Sequence, residues 1–239
     1  MNKYYYRKNN KVSVKKVVKI SSLGLFLIGL LIISYAFLPL LSWSFYFAPA
    51  FAEQEVTIPI PKTAVVKTPG DLMAGALDAL TKDYTNANVW FPNAPHKKQN
   101  KNVSSYTLSI PKINIDQAIV SNQDNDLASH LVHFEGTTLP PQKGNAVIFG
   151  HSTLPQLFNP KDYKTIFANA YKLTIGDKIT ATVSGILYTY KIMSITVVDP
   201  SDTSIFYQDQ DTSYLTLVTC TPPGTTWKRL IIKAQIQKL

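Results

Sequence analysis

The chain has 239 residues, of which 45% are hydrophobic and 16% are charged, so it is long enough to bury a substantial core. Its formal net charge is +9, but seven of the 24 basic residues lie within residues 1–19, which contain no acidic residue. The remaining 220 residues hold 17 basic and 15 acidic groups, and this near balance argues against a nucleic-acid-binding protein, which needs a concentrated basic face.

An apolar segment follows the basic tail and predicts a membrane-spanning helix. No charged residue occurs from Ile20 to Ala52, and such a run is long enough to cross a bilayer core of ~30 Å. Positive charge before a span keeps the N-terminus inside the cell. We therefore predict a cytoplasmic tail (1–19), a transmembrane anchor (20–42) and an extracellular remainder, which together make a single-pass protein of the cell membrane.

A cleaved signal peptide is the alternative interpretation of this segment. Ala50–Phe51–Ala52 offers the A-x-A pattern of a cleavage site. The apolar run is, however, longer than a usual signal core of ~7–15 residues. The length of the run therefore favours an uncleaved anchor.

The sequence pattern of residues 43–105 predicts an extracellular linker. Apolar residues at helical spacing within Asp71–Tyr84 predict a short helix, and a polar, basic run follows it. Trp90 and Phe91 are unusual in such a linker, so we expect them to pack onto the main domain.

From Tyr106 onward the pattern changes to short β-strands separated by glycine, proline and polar residues. Seven or eight such strands with little helix predict a small β-barrel or sandwich over residues 106–239. The segment around residues 163–173 is the candidate for a short helix. In the last strand, Leu230, Ile232, Ala234 and Ile236 fit the core face and alternate with Arg229, Ile231, Lys233 and Gln235, which predicts that Arg229 points away from the core.

The single cysteine, Cys220, ends one of these strands. One cysteine makes no internal disulfide, so it is a core filler, a chance thiol or a nucleophile. A nucleophilic cysteine needs its thiolate form, which a nearby imidazole stabilises or generates.

His151 is the histidine best placed for this task among the four in the chain. It follows an apolar strand and Gly150, and it begins a polar loop, where functional residues on β scaffolds collect. His96 lies in the basic linker. His130 and His133 form an H-x-x-H pair, but no third metal ligand stands at a recognised spacing, so we predict no metal site.

Arg229 begins the strand after Cys220. If these two strands pair, Cys220 and Arg229 lie at the same end of the sheet. A guanidinium offers fixed hydrogen-bond donors that can hold a substrate carbonyl or stabilise an oxyanion. A surface arginine on the polar face of a strand is the alternative.

Four segments in the same order resemble the sortase family. They are "TLVTC" with Arg229 nine positions later, "HFEGTTLPPQKGNAVIFGHS", "LSIPKINID" and "KLTIGDKI", and together they span about Tyr106 to Ile236. The resemblance is to sortases with an N-terminal anchor and no C-terminal membrane span, and it does not separate the subclasses.

The resemblance implies a mostly β fold, namely a closed eight-stranded β-barrel with short helices that follows the transmembrane helix. It implies a cysteine transpeptidase in which Cys220 is the nucleophile, His151 the acid/base and Arg229 the substrate-binding or oxyanion-stabilising residue. Thr219 matches the family threonine that shapes the substrate site.

The implied partners are exported proteins with a C-terminal LPxTG-like sorting signal and an amine of a peptidoglycan precursor or a pilin. No cofactor is implied. Some sortases use calcium, but the chain has no acidic cluster that we would assign to it.

Pilin-type sortases carry an N-terminal lid with an acidic residue and an aromatic residue. "NVWFPN", residues 88–93, has the aromatic residues Trp90 and Phe91 but not the usual order, so a lid role for them is a hypothesis. Two other functions stay open: a cysteine hydrolase of the same fold, and a non-catalytic membrane-anchored β-barrel that binds a ligand.

Overall fold

The computed structural model describes residues 14–42, 82–95 and 103–237. The chain divides into two compact units, Met1–Phe45 and Tyr46–Leu239. In the first unit, helix α1 spans Val14–Ser42. It contains the predicted anchor and begins six residues earlier, because the lysines before the apolar run are good helix formers. Within it, Val18–Tyr35 has a mean hydropathy of 2.0, so by length and composition it is a candidate membrane span.

The second unit contains eight strands that close into a barrel in the order β1-β2-β3-β4-β7-β8-β6-β5. The pairs β2–β3 and β4–β7 are parallel, and the other pairs are antiparallel. This confirms the mostly β fold and the closed eight-stranded barrel. The strands are β1 (Ser105–Ile110), β2 (Ile115–Ser121), β3 (Leu131–His133), β4 (Gly144–Phe149), β5 (Lys178–Val183), β6 (Ile186–Val198), β7 (Ser213–Thr221) and β8 (Lys228–Ile236).

Within residues 82–95 and 103–237, the helical elements are short 3₁₀ turns. The segment predicted to form a short helix around residues 163–173 contains only the turn Ala170–Lys172. The other turns are Ala87–Trp90, Pro111–Ile113, Pro155–Leu157 and Ser204–Phe206. Most of the helix predicted over Asp71–Tyr84 lies outside the described residues.

Two separate apolar clusters hold the unit together. The first fills the barrel interior and includes Leu108, Ile179, Leu217 and Ile232. The second, which we call the outer layer, covers the outside of β4, β7 and β8. It is built from Phe149, Val218, Cys220 and Ile231 on the strands, and from Trp90, Phe91, Phe134 and Phe206 on the segments that cover them.

The two clusters explain why β7 is buried along its whole length. Successive side chains of a strand point to opposite faces. On β7 one face meets the barrel interior and the other meets the outer layer, so its serine and threonine residues are buried together with its apolar residues and Cys220. Its environment resembles that of a central strand covered on both sides.

Candidate active site

Three adjacent strands bring the predicted catalytic residues together. On the antiparallel pair β7–β8, Cys220 lies directly opposite Arg229. This confirms that the two residues sit at the same end of the sheet. On the parallel pair β4–β7, Phe149 lies opposite Val218, so two residues further on His151 comes level with Cys220. Neighbouring strands are ~4.8 Å apart, so the three residues form a short row with Cys220 in the middle.

Polar contacts extend the pairing of β4 and β7 beyond the last strand residues. The Gly150 amide donates to the Val218 carbonyl at 3.1 Å, the Thr219 hydroxyl donates to the Gly150 carbonyl at 2.7 Å, and the Ser152 hydroxyl donates to the Cys220 carbonyl at 2.6 Å. The residues on both sides of His151 are therefore tied to β7 at and around Cys220.

Gly150 also positions His151 through close packing. A Cβ atom at residue 150 would lie 2.5 Å from ring carbons of Phe167 and 2.6 Å from Leu131. The Phe167 amide in turn donates to the His151 carbonyl at 2.9 Å. Only glycine allows this approach. The sequence pattern alone did not indicate the roles of Gly150, Ser152 or Phe167.

Residues 82–95, which we call the cover segment, lie over this row. Trp90 and Phe91 are buried, with 0% and 1% exposure, which confirms that they pack onto the main domain. The Trp90 ring lies 5.5 Å from the His151 ring and stacks on Phe149 at 5.5 Å. The cover segment is held to the β2–β3 connection by backbone bonds from Ala87 to Asn125 and from Leu127 to Thr85.

The side chain of Arg229 lies inside this cover. Its Nη2 group donates to the Trp90 carbonyl at 3.1 Å, and the guanidinium carbon lies 6.0, 5.4 and 5.8 Å from the ring centres of Tyr84, Trp90 and Phe91. Arg229 points out of the barrel interior, as predicted, but it is only 1% exposed. The sequence pattern of β8 could not show this burial, because the covering tryptophan lies 139 positions away in the sequence.

The Nε donor of Arg229 is not used by the described part of the protein. Its Nη1 group donates to the carbonyls of Thr226 and Lys228 at 2.9 and 3.1 Å, which fixes the guanidinium plane. Its Nε atom is buried and has no hydrogen-bond partner among the described residues. A buried guanidinium with an unused donor is suited to donate a hydrogen bond to a substrate oxygen.

Burial keeps the thiol and the imidazole in their neutral forms. It raises the pKa of Cys220, an effect that the positive charge of Arg229 partly offsets. It lowers the pKa of His151, and Lys164 lowers it further, against smaller opposite effects of Asp126, Asp83 and Asp162. In the covered site, burial therefore favours the thiol form of Cys220, which is less reactive than the thiolate.

Thr219 lies on β7 directly before Cys220, so its side chain is on the opposite face of the strand. It is 3% exposed, and its hydroxyl is bound to Gly150. Contact between Thr219 and a substrate stays a prediction.

The two other described histidines have separate partners and do not converge. His130 pairs with Asp124 at 2.9 Å, whereas His133 binds the Tyr106 hydroxyl through Nδ1 at 2.9 Å and Thr137 through Nε2. Across residues 14–42, 82–95 and 103–237, no three His, Cys, Asp or Glu side chains cluster as metal ligands. His96 lies outside the described residues.

Comparison with known proteins identifies a matching family model and a similar sequence. A Sortase domain family model matches residues 108–237. Sortase D of Bacillus subtilis (strain 168) is 32% identical over 133 residues, which are 54% of this chain and 62% of that protein, so the chain spans less than two thirds of this relative.

Solved structures of similar fold include two further sortases. Sortase A from Corynebacterium diphtheriae is 25% identical with a TM-score of 0.50, over 72% of this chain and 86% of that one. A lid mutant of that protein gives the same identity and TM-score. Sortase C-1 from Streptococcus pneumoniae is 22% identical with a TM-score of 0.51, over 73% of this chain and 93% of that one, and it shows the shared fold.

Proposed function

The chain belongs to the sortase family, and we propose that it is a membrane-anchored extracellular cysteine transpeptidase. Its substrate is an exported protein with an LPxTG-like C-terminal sorting signal, and its acceptor is an amine of a cell-wall precursor or a pilin. The row of His151, Cys220 and Arg229 across three adjacent strands is the observation that carries the proposal.

In the first half of the proposed reaction, the Cys220 thiolate attacks the scissile carbonyl carbon and forms a C–S bond. The carbonyl oxygen becomes an oxyanion, and the free Nε donor of Arg229 supports a role in stabilising it. The protonated imidazole of His151 gives its proton to the leaving amine as the C–N bond breaks. A thioester on Cys220 remains.

In the second half, the acceptor amine attacks the thioester carbon. His151 takes the proton that the amine loses, and the Cys220 thiolate leaves as the new amide bond forms. The chain's own residues provide the nucleophile, the acid/base and the hydrogen-bond donor for all of these proposed steps. A water molecule in place of the amine would give hydrolysis, which is the activity of the alternative enzyme.

We further propose that the cover segment is a lid that must move before substrate enters. Trp90 contacts His151 and Arg229, and Cys220 is 5% exposed in its presence. The lid mutant described for Sortase A from C. diphtheriae supports this interpretation by analogy. Displacing the segment would return water to the site, lower the pKa of the thiol and raise that of the imidazole.

The test is an assay of the full chain with peptides that carry LPxTG-like signals, with and without triglycine. A transpeptidase gives a ligated product with triglycine and a thioester on Cys220 that mass spectrometry detects. Hydrolysis without ligation would favour the hydrolase. If Cys220→Ala kept the function of the protein intact, the β-barrel would be a binding module.

The membrane anchor is tested separately by flotation of the full chain with vesicles and by protease access to the barrel in intact cells. A span with the N-terminus inside makes the protein float with the vesicles and keeps it in the membrane after alkaline extraction. It also exposes the barrel to external protease. Release by alkali would contradict the anchor without affecting the catalytic proposal.

A further inference from the structure

The Gln208 side chain ties the connection between β6 and β7, residues 199–212, to β4. The Gln208 side-chain oxygen accepts from the amide of Asn145 at 3.0 Å and from the amide and hydroxyl of Thr138 at 3.3 Å. Its side-chain nitrogen donates to the carbonyls of Asn145 at 3.0 Å and Phe206 at 3.2 Å. The amide group of Gln208 thus uses both its donors and its acceptor.

Gln208 takes the place of a missing strand neighbour of β4. The short strand β3 pairs with β4 only as far as His133, opposite Ile148, and Phe134 adds one more bond to Val147. Beyond this point the edge of β4 continues to Asn145, whose amide and carbonyl both bind Gln208. One side chain therefore satisfies backbone groups that a strand would otherwise pair.

A second contact ties the same connection to β4. The Asn145 side chain donates to the Ile205 carbonyl at 2.8 Å and accepts from the Thr216 hydroxyl at 2.7 Å. Asn145 is 2% exposed, so these bonds are shielded from water. Gly144 leaves room for Thr138 and Gln208, because a Cβ atom there would lie 2.5 Å from the Thr138 hydroxyl and 3.0 Å from the Gln208 side-chain oxygen.

The two contacts hold Ile205 and Phe206 against the site. The Phe206 ring lies 4.5 Å from Phe134 and 5.3 Å from Phe91. In the proposed lid movement, Phe91 leaves with the cover segment. Phe206 and Phe149 then form an apolar wall beside the row of His151, Cys220 and Arg229. The β4 ladder places Phe149, whereas the position of Phe206 in this wall depends on Gln208.

We propose that Gln208, supported by Asn145, is a positioning residue that sets the apolar wall of the substrate site. The inference rests on the proposed function and assigns it a residue that is not part of the catalytic row. Gln208 acts through Phe206, so its loss should weaken substrate binding and leave the chemical step intact.

The test is Gln208→Glu in the full chain, assayed with a sorting-signal peptide. A carboxylate cannot donate to the carbonyls of Asn145 and Phe206, so the loop is released. We expect KM for the peptide to rise at least fivefold while kcat stays within twofold. Gln142→Glu is the matched control, because Gln142 is exposed and lies close to the same end of β4, and it should leave both constants unchanged.

The pH dependence separates positioning from general destabilisation. Protonation of the introduced carboxylate restores a donor at position 208, so the ratio of the variant's KM to the wild-type KM should fall toward one as the pH is lowered toward the ordinary glutamate pKa of ~4.3. A loss of folded protein would lower kcat per total enzyme and leave KM unchanged, and that result would overturn the proposal.

Gln208→Met keeps the length of the side chain without a charge, and it provides the same KM test if the glutamate variant does not fold. An active wild type with a KM ratio near one in both variants overturns only this inference. A wild type that neither binds nor cleaves sorting-signal peptides overturns the proposed function, and this inference with it.

Discussion

The Trp90 carbonyl oxygen accepts a hydrogen bond from the guanidinium of Arg229 at 3.1 Å, across 139 positions of sequence. A residue that the family resemblance assigns to substrate binding is therefore occupied by the chain's own backbone. The same tryptophan touches His151, so a single residue of the cover segment contacts two of the three residues in the row of His151, Cys220 and Arg229.

Trp90→Ala should increase the reactivity of Cys220 toward a small alkylating reagent at least tenfold. Truncating a buried tryptophan typically costs about 3–5 kcal/mol of packing, and each ~1.4 kcal/mol lost from the covered state raises the uncovered population tenfold. The rate of thiol labelling of the full chain measures this. Trp227→Ala is the control, because Trp227 is 68% exposed and should not affect labelling. Equal labelling of Trp90→Ala and wild type would contradict the lid.

Trp90→Ala should also change the pH dependence of Cys220 labelling. In the covered state, burial raises the pKa of Cys220 above its usual range, so the wild-type rate keeps increasing with pH beyond the ordinary thiol midpoint of ~8.5. Removing the cover returns water to the thiol, and the midpoint should move to lower pH. Labelling rates measured from pH 6 to 10 report both midpoints. A midpoint shared by both proteins would mean that Trp90 does not control the solvation of the thiol.

Arg229→Lys should lower kcat/KM for a sorting-signal peptide at least a hundredfold. A lysine ammonium has no planar set of donors, so it cannot bind the carbonyls of Thr226 and Lys228 and also offer a donor to the substrate. Labelling of Cys220 in the same variant shows whether the thiol is still in a folded site. Lys228→Ala changes an exposed neighbouring cation and should keep nearly full activity; comparable losses in both variants would point to a general effect of charge.

Thr219→Val should lower kcat about tenfold, whereas Thr219→Ser should keep most of the activity. The valine variant loses the 2.7 Å bond to the Gly150 carbonyl, which helps to hold His151 level with Cys220, while serine retains the hydroxyl. Single-turnover formation of the thioester isolates this step. A loss in the serine variant as large as in the valine variant would assign the role to the methyl group of Thr219 and not to its hydroxyl.

His133 should make the folded state sensitive to acid. Burial lowers the pKa of His133 to about 4, against ~6.5 in an unfolded chain. The unfolded state therefore binds a proton first as the pH falls below 6.5, and the folded state loses stability down to about pH 4. The full loss amounts to about 3 kcal/mol.

Urea unfolding of His133→Gln at pH 7 and pH 4.5 measures this contribution. The variant should lose less stability than the wild type between the two pH values. His130→Gln, at the partly exposed pair with Asp124, is the control and should follow the wild type. Parallel pH profiles for wild type and His133→Gln would rule out His133 as the source.

The sequence was sufficient to predict the relation between Cys220 and Arg229. The connection between their strands is only six residues long, from Pro222 to Trp227, and short connections join antiparallel neighbours. The sequence could not predict that His151 lies level with Cys220, because β4 and β7 are parallel and more than 60 positions separate their paired residues. Parallel pairing leaves no turn signal in the sequence, so His151 was assigned from its strand end and the family resemblance.

The outer layer could not be predicted from the strand pattern. Alternation on β8 separates the two faces of a strand, but it does not show what covers the outer one. Trp90 and Phe91 gave a signal, as large apolar residues in a polar segment. Their partners Phe134, Phe149 and Phe206 come from three other parts of the chain, and no local periodicity relates them.

The separation of the barrel interior from the outer layer decides where a stable fragment of this protein can begin. A fragment that starts at Ser105 contains all eight strands, yet it lacks Trp90 and Phe91 and leaves Phe149 and Phe206 facing water. An exposed aromatic patch of this kind promotes self-association. A well-behaved fragment therefore has to start before residue 82, and shorter ones would both aggregate and overstate the reactivity of the thiol.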